Sequence, residues 1–269
     1  MWMIFVAAIV PGILLLYYVY NKDFNPEPKR LVYKGFLYGC ASVFVSTLIS
    51  GPLMRLGFFP AEPGSISEAI KVSFFGAAIP EESAKLFMLW LLLRNCPEFD
   101  ERYNGMVYAA SVGLGFACLE NLMYVLSSGA GWFQVSVSRA IFAVPGHFAF
   151  AIVMGYYYSR YHFRAKNSIA DGYNRGDNSR IDSEGAVDGL DRLKIWLYPV
   201  MLHGIYDSLV FSMNLAPAAS GIITLALIWF CYKLFKSTRQ RILDEAAANR
   251  RDNNLYYDPR RDDGSIDEQ

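Results

Sequence analysis

Long apolar runs alternate with short polar segments along most of this 269-residue chain. A helix needs roughly 20 mostly apolar residues to cross the hydrocarbon core of a bilayer, and seven stretches reach about that length. The pattern therefore predicts an all-α fold, a polytopic transmembrane helical bundle of about seven spans. The predicted spans are about 2–20, 31–51, 69–93, 104–127, 136–160, 194–213 and 217–236.

The polar segments between and after these spans predict the domain organisation. Residues 161–193 carry Gly, Asn, Asp, Ser and Arg without helical periodicity, which indicates a long flexible loop. We expect one transmembrane domain over 1–236 and a tail over 237–269, which begins with a short helix to Ala248 and ends in disorder. The first span lacks the basic n-region and the cleavage site of a signal peptide, so it is expected to be a retained anchor.

The distribution of lysine and arginine predicts an orientation, because cytoplasmic connections carry an excess of both. With seven spans, the basic residues of 21–30, 94–102, 160–194 and the tail all fall on one side, whereas the opposite connections contain few. The chain is therefore expected to be a multi-pass protein of the cell membrane, with its N-terminus outside and its C-terminus in the cytoplasm.

Composition narrows the possible functions. Hydrophobic residues make up 54% of the chain, charged residues only 19%, and the formal net charge is zero. No basic stripe or nucleic-acid-binding motif occurs, so nucleic acid is not expected as a partner. The cysteines form no CxxC pair, which argues against a disulfide framework and a zinc–thiolate site. They are Cys40, Cys96, Cys118 and Cys231.

Ionisable side chains inside the predicted spans are the strongest indication of function. Each costs about 2.5–3.5 kcal/mol on insertion scales, so such residues are rare unless they share partners or line a wet cavity. Helix geometry places them from mid-membrane toward the outer face, although their helices run in opposite directions. We therefore predict that they meet in one water-filled site. The site candidates are Glu81, Glu82, Glu120, His147, His203 and Asp207.

This set of side chains suits hydrolysis. A carboxylate in a low-dielectric cavity can take a proton from water, and histidines can donate to the developing oxyanion. His203 and Asp207 lie four residues apart on one helix face, so the carboxylate can fix the imidazole tautomer. No HExxH or GxSxG motif occurs. No cofactor is expected, with a divalent metal such as zinc as the alternative, since His and carboxylate ligands suit it. Lys85 is as consistent with a snorkelling or ion-paired residue as with a site residue.

Four short motifs in successive spans resemble those of the PrsW family of intramembrane proteases, glutamic-type enzymes related to the CAAX prenyl endopeptidases. The CAAX enzymes have FxxxH and HxxxN where this chain has Phe116-xxx-Glu120 and His203-xxx-Asp207, which favours the PrsW branch. The matching motifs are Pro80-Glu81-Glu82-Ser83-Ala84-Lys85, Gly113-Leu114-Gly115-Phe116-Ala117-Cys118-Leu119-Glu120-Asn121, Pro145-Gly146-His147 and His203-Gly204-Ile205-Tyr206-Asp207.

The resemblance implies that Glu81 and Glu82 activate a water molecule and that the other four candidates complete the site. It also implies a single-span membrane protein as substrate, namely an anti-sigma factor that receives its first, extracytoplasmic cut. Two other functions fit the residues alone. A proton- or ion-coupled transporter also uses Asp, Glu and His chains, although no internal repeat is found. A non-catalytic membrane receptor or immunity protein would use the same scaffold without the chemistry.

Overall fold

The computed structural model describes residues 2–175 and 179–256, and it contains helices but no strand over these ranges. This confirms the predicted all-α bundle. The helices are α1 (Trp2–Tyr20), α2 (Lys29–Arg55), α3 (Ile66–Lys71), α4 (Ile79–Leu93), α5 (Arg102–Ser127), α6 (Trp132–Ser138), α7 (Val144–Arg175), α8 (Ser179–Leu215) and α9 (Ser220–Tyr256).

Two π-helical segments join neighbouring helices without a break. Val72–Ala78 connects α3 to α4, and Arg139–Ala143 connects α6 to α7. Each precedes a proline, Pro80 or Pro145, whose missing N–H and ring make a regular α-helical path unfavourable. Such wider turns are common at functional sites. Here they introduce the helical turns that carry Glu81, Glu82 and His147.

Four helical segments in the described ranges are long and apolar enough to cross a bilayer on their own. The apolar part of α1, Phe5–Tyr20, is shorter. The third and sixth predicted spans overlap α4, which carries Glu81 and Glu82, and α8, which carries Asp207. The four long segments are Lys29–Arg55, Arg102–Ser127, Gly129–Phe163 and Gly221–Ala248.

The predicted loop at 161–193 is mostly helical. Helix α7 continues to Arg175 and α8 begins at Ser179, while residues 176–178 lie outside the described part of the chain. The prediction of an extended loop was wrong, because an established helix adds residues at little cost even where no apolar periodicity indicates one. Helix α9 likewise continues through Ala248 to Tyr256. Residues 257–269, where disorder is predicted, lie outside the described ranges.

Helix α5 forms the centre of the bundle and is buried along almost its whole length. Close approach to α2 depends on residues that lack a side chain. A Cβ atom on Gly115 would lie 2.0 Å from the Phe36 carbonyl oxygen, and one on Gly39 would lie 2.0 Å from the Val112 carbonyl oxygen. Small residues at helix crossings allow such contact in membrane proteins. The crossing holds Glu120 at a fixed depth and orientation in the bundle.

Candidate active site

The structure brings the predicted site residues together inside the bundle. A cavity of about 320 Å³ is bounded by both π segments and by helices α4 to α9. Five of the six candidates line it, namely Glu81, Glu120, His147, His203 and Asp207. The sixth, Glu82, lies behind the cavity wall with no exposed surface. The predicted convergence of four helices is therefore present, and the catalytic roles of the residues stay predictions.

His203 is held between three carboxylates. Its Nδ1 lies 2.9 Å from Glu82 Oε1. Its Nε2 lies 3.3 Å from Asp207 Oδ2 and 3.8 Å from Glu81 Oε2. The Phe150 ring stacks on the imidazole at a centroid distance of 5.0 Å. The predicted contact between His203 and Asp207 is present, and Glu82 restrains the ring from its opposite nitrogen.

Lys85 is a central member of the cluster, although the sequence left its role open. Its ammonium lies 2.8 Å from Glu82 Oε1 and 3.5 Å from Glu81 Oε2, and 3.9 Å from the centroid of the Phe116 ring. The side chain is 2% exposed, so it does not snorkel to the membrane surface. Its four-residue spacing from Glu81 was the available signal in the sequence for an ion pair. Only the fold shows that Lys85 pairs with both Glu81 and Glu82.

Lys85 also determines how His147 is bonded. The ammonium lies 3.0 Å from His147 Nδ1. A protonated lysine can only donate, so Nδ1 accepts and the ring hydrogen lies on Nε2. That nitrogen is 2.9 Å from Glu120 Oε2, to which it donates. Both nitrogens of His147 are therefore engaged by neighbouring side chains, and this ring links α4 to α5.

Arg139 is the second cation that the sequence analysis did not assign to the site. It lines the cavity at the start of the second π segment. Its Nη2 lies 2.5 Å from Glu120 Oε2, and its Nε donates to Asn121 Oδ1 at 2.7 Å. Sequence position alone counted Arg139 as a basic residue near the outer end of its span. An arginine within an apolar run was the signal that could have identified it.

The cluster combines four carboxylates with two imidazoles and two fixed cations, Lys85 and Arg139. One donor atom from each of Glu81, His147 and His203 lies within 4.8 Å of the other two. Carboxylate oxygen and imidazole nitrogen are ligands that zinc accepts. The chemistry of this donor set fits a divalent metal ion.

Comparison with known proteins identifies the family. Residues 27–234 match the family described as "PrsW family intramembrane metalloprotease", and this range includes every residue of the cluster. The chain belongs to the PrsW family. This confirms the resemblance that the four sequence motifs indicated, and it shows that the chain is a membrane-embedded protease. No solved structure matches it.

Relatives named Protease PrsW align along most of the chain. The protein of Geobacillus kaustophilus is 32% identical over 237 residues, which cover 87% of this chain and 91% of the relative. That of Clostridioides difficile is 31% identical over 76% of this chain and 77% of its own length. That of Bacillus subtilis is 31% identical over 80% and 85%. The family description also implies a metal, which the donor set of Glu81, His147 and His203 fits.

Proposed function

We propose that the chain hydrolyses a peptide bond of a single-span membrane protein with a water molecule activated by Glu81. The observation that supports this most directly is the contact set around His203, where Glu81 and Asp207 face one imidazole nitrogen inside a cavity of the bundle. A carboxylate and an imidazole side by side are the elements that general acid–base catalysis requires. The transporter and receptor hypotheses lack this support, because the family is a protease family.

In the proposed reaction, Glu81 takes a proton from water while the water oxygen bonds to the scissile carbonyl carbon. The carbonyl electron pair moves to the oxygen and gives a tetrahedral oxyanion. When that intermediate collapses, the C–N bond breaks and the leaving nitrogen takes a proton delivered through Glu81 or His203. Glu82 does not face the cavity, so we assign it a positioning role through its contacts with Lys85 and His203.

The family description makes a metal-bound form of this site a specific alternative. A bound divalent metal would supply a water of lowered pKa and would polarise the scissile carbonyl. Glu81, His147 and His203 would hold it, and Glu82 and Glu120 would orient the two imidazoles from outside. Lys85 lies 3.0 Å from His147 Nδ1, so a metal bound at that nitrogen would displace the ammonium.

The substrate we propose is a membrane-anchored anti-sigma factor, cut first on the extracytoplasmic side. The orientation expected from the basic residues supports this, since it directs the cavity toward the outer half of the membrane. The cavity is walled partly by Leu227 and Ile228 of the peripheral helix α9, so the site lies close to where a substrate helix would be in lipid. The substrate class remains part of the proposal.

The decisive experiment is cleavage of a candidate single-span substrate by the purified protein in detergent or liposomes. We expect Glu81→Gln to reduce kcat by about 10²–10⁴-fold, the usual range for a lost general base. The fold should survive, because the amide retains the shape of the side chain. Glu62→Gln, on the exposed connection after α2, is the matched control and should retain full activity. Full activity of Glu81→Gln would contradict the proposal.

A chelator distinguishes the two forms of the mechanism. If Glu81 acts on water directly, incubation with a chelator should leave kcat unchanged. If a metal is required, chelation should abolish cleavage, added zinc should restore it, and elemental analysis should find bound metal in wild-type protein but less in Glu81→Gln. A requirement for metal would contradict the role of Glu81 as a base that acts on water directly, but it would leave the protease assignment intact.

A further inference from the structure

The contacts of the two histidines leave neither ring with a free N–H for the oxyanion. His147 accepts from Lys85 and donates to Glu120, so its only N–H is already used. His203 faces Glu82 with one nitrogen and two carboxylates with the other. Neither ring points an uncommitted N–H at a substrate. A developing oxyanion in a water-poor site needs preorganised donors, and their loss is costly.

Arg139, which lines the same cavity, has N–H groups that make no hydrogen bond among the described residues. A guanidinium carries five N–H groups. In this structure Nε–H bonds to Asn121 and Nη2 to Glu120. Within the described residues, no hydrogen bond involves Nη1. The side chain is 16% exposed, and it lines the cavity beside Glu81, Glu120 and His203. The two N–H groups of Nη1 therefore have no hydrogen-bond partner among the described residues, and they belong to a fixed cation that lines the cavity.

The guanidinium is also held rigidly. Its plane lies over the Tyr124 ring at 4.1 Å from the centroid. Asn121 fixes Nε from one side, and its own amide donates to the Ala8 carbonyl oxygen of α1 at 3.1 Å. Glu120 fixes Nη2, and His147 holds Glu120. A guanidinium held in this way does not need to reorganise when negative charge develops beside it. Such preorganisation is the condition for strong electrostatic stabilisation.

We propose that Arg139 is a catalytic residue that binds the scissile carbonyl oxygen through Nη1 and stabilises the oxyanion. As the water oxygen bonds to the carbonyl carbon, the carbonyl electron pair moves to the oxygen facing Arg139. The guanidinium keeps its protons throughout, and the electron pair returns to re-form the carbonyl as the C–N bond breaks. This role rests on the proposed peptide hydrolysis. It replaces His147 and His203, the electrophilic donors expected from the sequence.

The test compares Arg139→Lys and Arg139→Gln with wild type in the same cleavage assay. Lysine retains the positive charge but loses the fork, whereas glutamine loses both the charge and the fork. Loss of one oxyanion donor lowers kcat by about 10²–10³-fold. We expect a loss of that size for Arg139→Gln, a partial loss for Arg139→Lys, and a KM that changes far less than kcat. Arg55→Gln, at the exposed outer end of α2, is the matched control.

A second variant separates catalysis from the ion pair with Glu120. Arg139→Gln leaves Glu120 without its cation and can destabilise the fold, whereas Arg139→Gln combined with Glu120→Gln removes both charges. We expect the double variant to regain the thermal stability of wild type while its kcat stays well below that of Glu120→Gln alone. Recovery of kcat in the double variant would show that Arg139 is only structural.

The Glu81→Gln protein keeps this test independent of the proposed function. Normal kcat in Arg139→Gln beside an inactive Glu81→Gln protein would overturn the role of Arg139 alone. Normal kcat in Glu81→Gln would overturn the general-base proposal instead. A KM increase without a kcat loss in Arg139→Lys and Arg139→Gln would show that Arg139 binds substrate equally in the ground and transition states, which also contradicts the proposal.

Discussion

Two groups of buried acids in this protein have different neighbours. At the candidate site, Glu81, Glu82 and Glu120 each lie within 3.5 Å of a lysine or arginine nitrogen. In the connection between α1 and α2, Asp23 and Glu27 are only 7% and 4% exposed. There Glu27 accepts a hydrogen bond from the neutral Tyr108 hydroxyl. The first group is built as ion pairs, and the second is built around uncharged donors and other acids.

The connection between α1 and α2 shows what burial does to acids placed among other acids. Burial raises the pKa of Asp23 to about 7, with Glu101 and Asp100 adding to the rise. Burial also raises the pKa of Glu27 to about 8, against the hydrogen bond from Tyr108. These carboxyls therefore keep protons at pH values where ordinary ones have lost them. The acids of the candidate site are ion-paired because Lys85 reaches Glu81 and Glu82 from one turn along α4, and Arg139 reaches Glu120 from the second π segment.

The largest expected effect comes from removing a cation from the cavity. Lys85→Met keeps a long apolar side chain but leaves the fully buried Glu82 without its ammonium. Breaking a buried ion pair in this way costs about 3–5 kcal/mol. We expect a matching loss of stability in denaturant unfolding of the protein in mixed micelles, together with loss of cleavage.

Lys85→Met combined with Glu82→Gln is the matched control for that experiment. The double variant should recover most of the stability, because no charge remains stranded, but it should not recover activity. Equal stability of wild type and Lys85→Met would contradict the view that the acids of the candidate site depend on ion pairs.

A smaller, pH-dependent effect is expected at the connection between α1 and α2. The folded-state pKa of Glu27 is raised to about 8, so the folded protein binds more protons than the unfolded chain between pH of about 4.5 and 8. Stability should therefore fall as pH rises through this window, by at most about 1.4 kcal/mol per pH unit for one carboxyl. Thermal unfolding measured from pH 5 to 9 would show the slope.

Glu27→Gln should flatten that slope, because an amide does not titrate. Asp23→Asn should flatten its lower part, up to pH of about 7. Glu62→Gln lies on an exposed connection and should leave the profile unchanged. A wild-type profile that rises with pH across the same window would contradict the assignment of raised pKa values to these acids.

The last prediction concerns the side of the membrane on which each group of acids lies, and no change in stability is expected. With the orientation proposed above, the connection between α1 and α2 faces the cytoplasm and the cavity opens toward the outside. On a cysteine-free background, Glu62→Cys should react with an impermeant maleimide in intact cells. Leu190→Cys should react only after the cells are permeabilised. Labelling of Leu190→Cys in intact cells would reverse the proposed topology.

The sequence by itself predicted the all-α bundle, the positions of its apolar spans and the family. It also identified six residues as members of one site, of which five line the cavity and the sixth, Glu82, lies behind its wall. These predictions succeed because the insertion cost of Glu120 or His147 is a local property, visible wherever an ionisable residue interrupts an apolar run. The motif spacing of His203 and Asp207 is equally local, since four residues complete about one helical turn.

Only the tertiary structure decided which charges pair. Lys85 contacts His147 across helices, and Arg139 contacts Glu120 from a π segment that no apolar pattern indicates. The same holds for Glu82, which the sequence placed beside Glu81 but the fold turns away from the cavity. The interaction energy of two opposite charges depends on the distance between atoms that can come from distant parts of the chain. It becomes weaker as that distance grows and as water reaches the pair. Spacing along α4 indicates that Lys85 can reach Glu81, but it contains no information about partners on other elements, so the contacts of Glu120 and His147 emerged only when the helices were packed together.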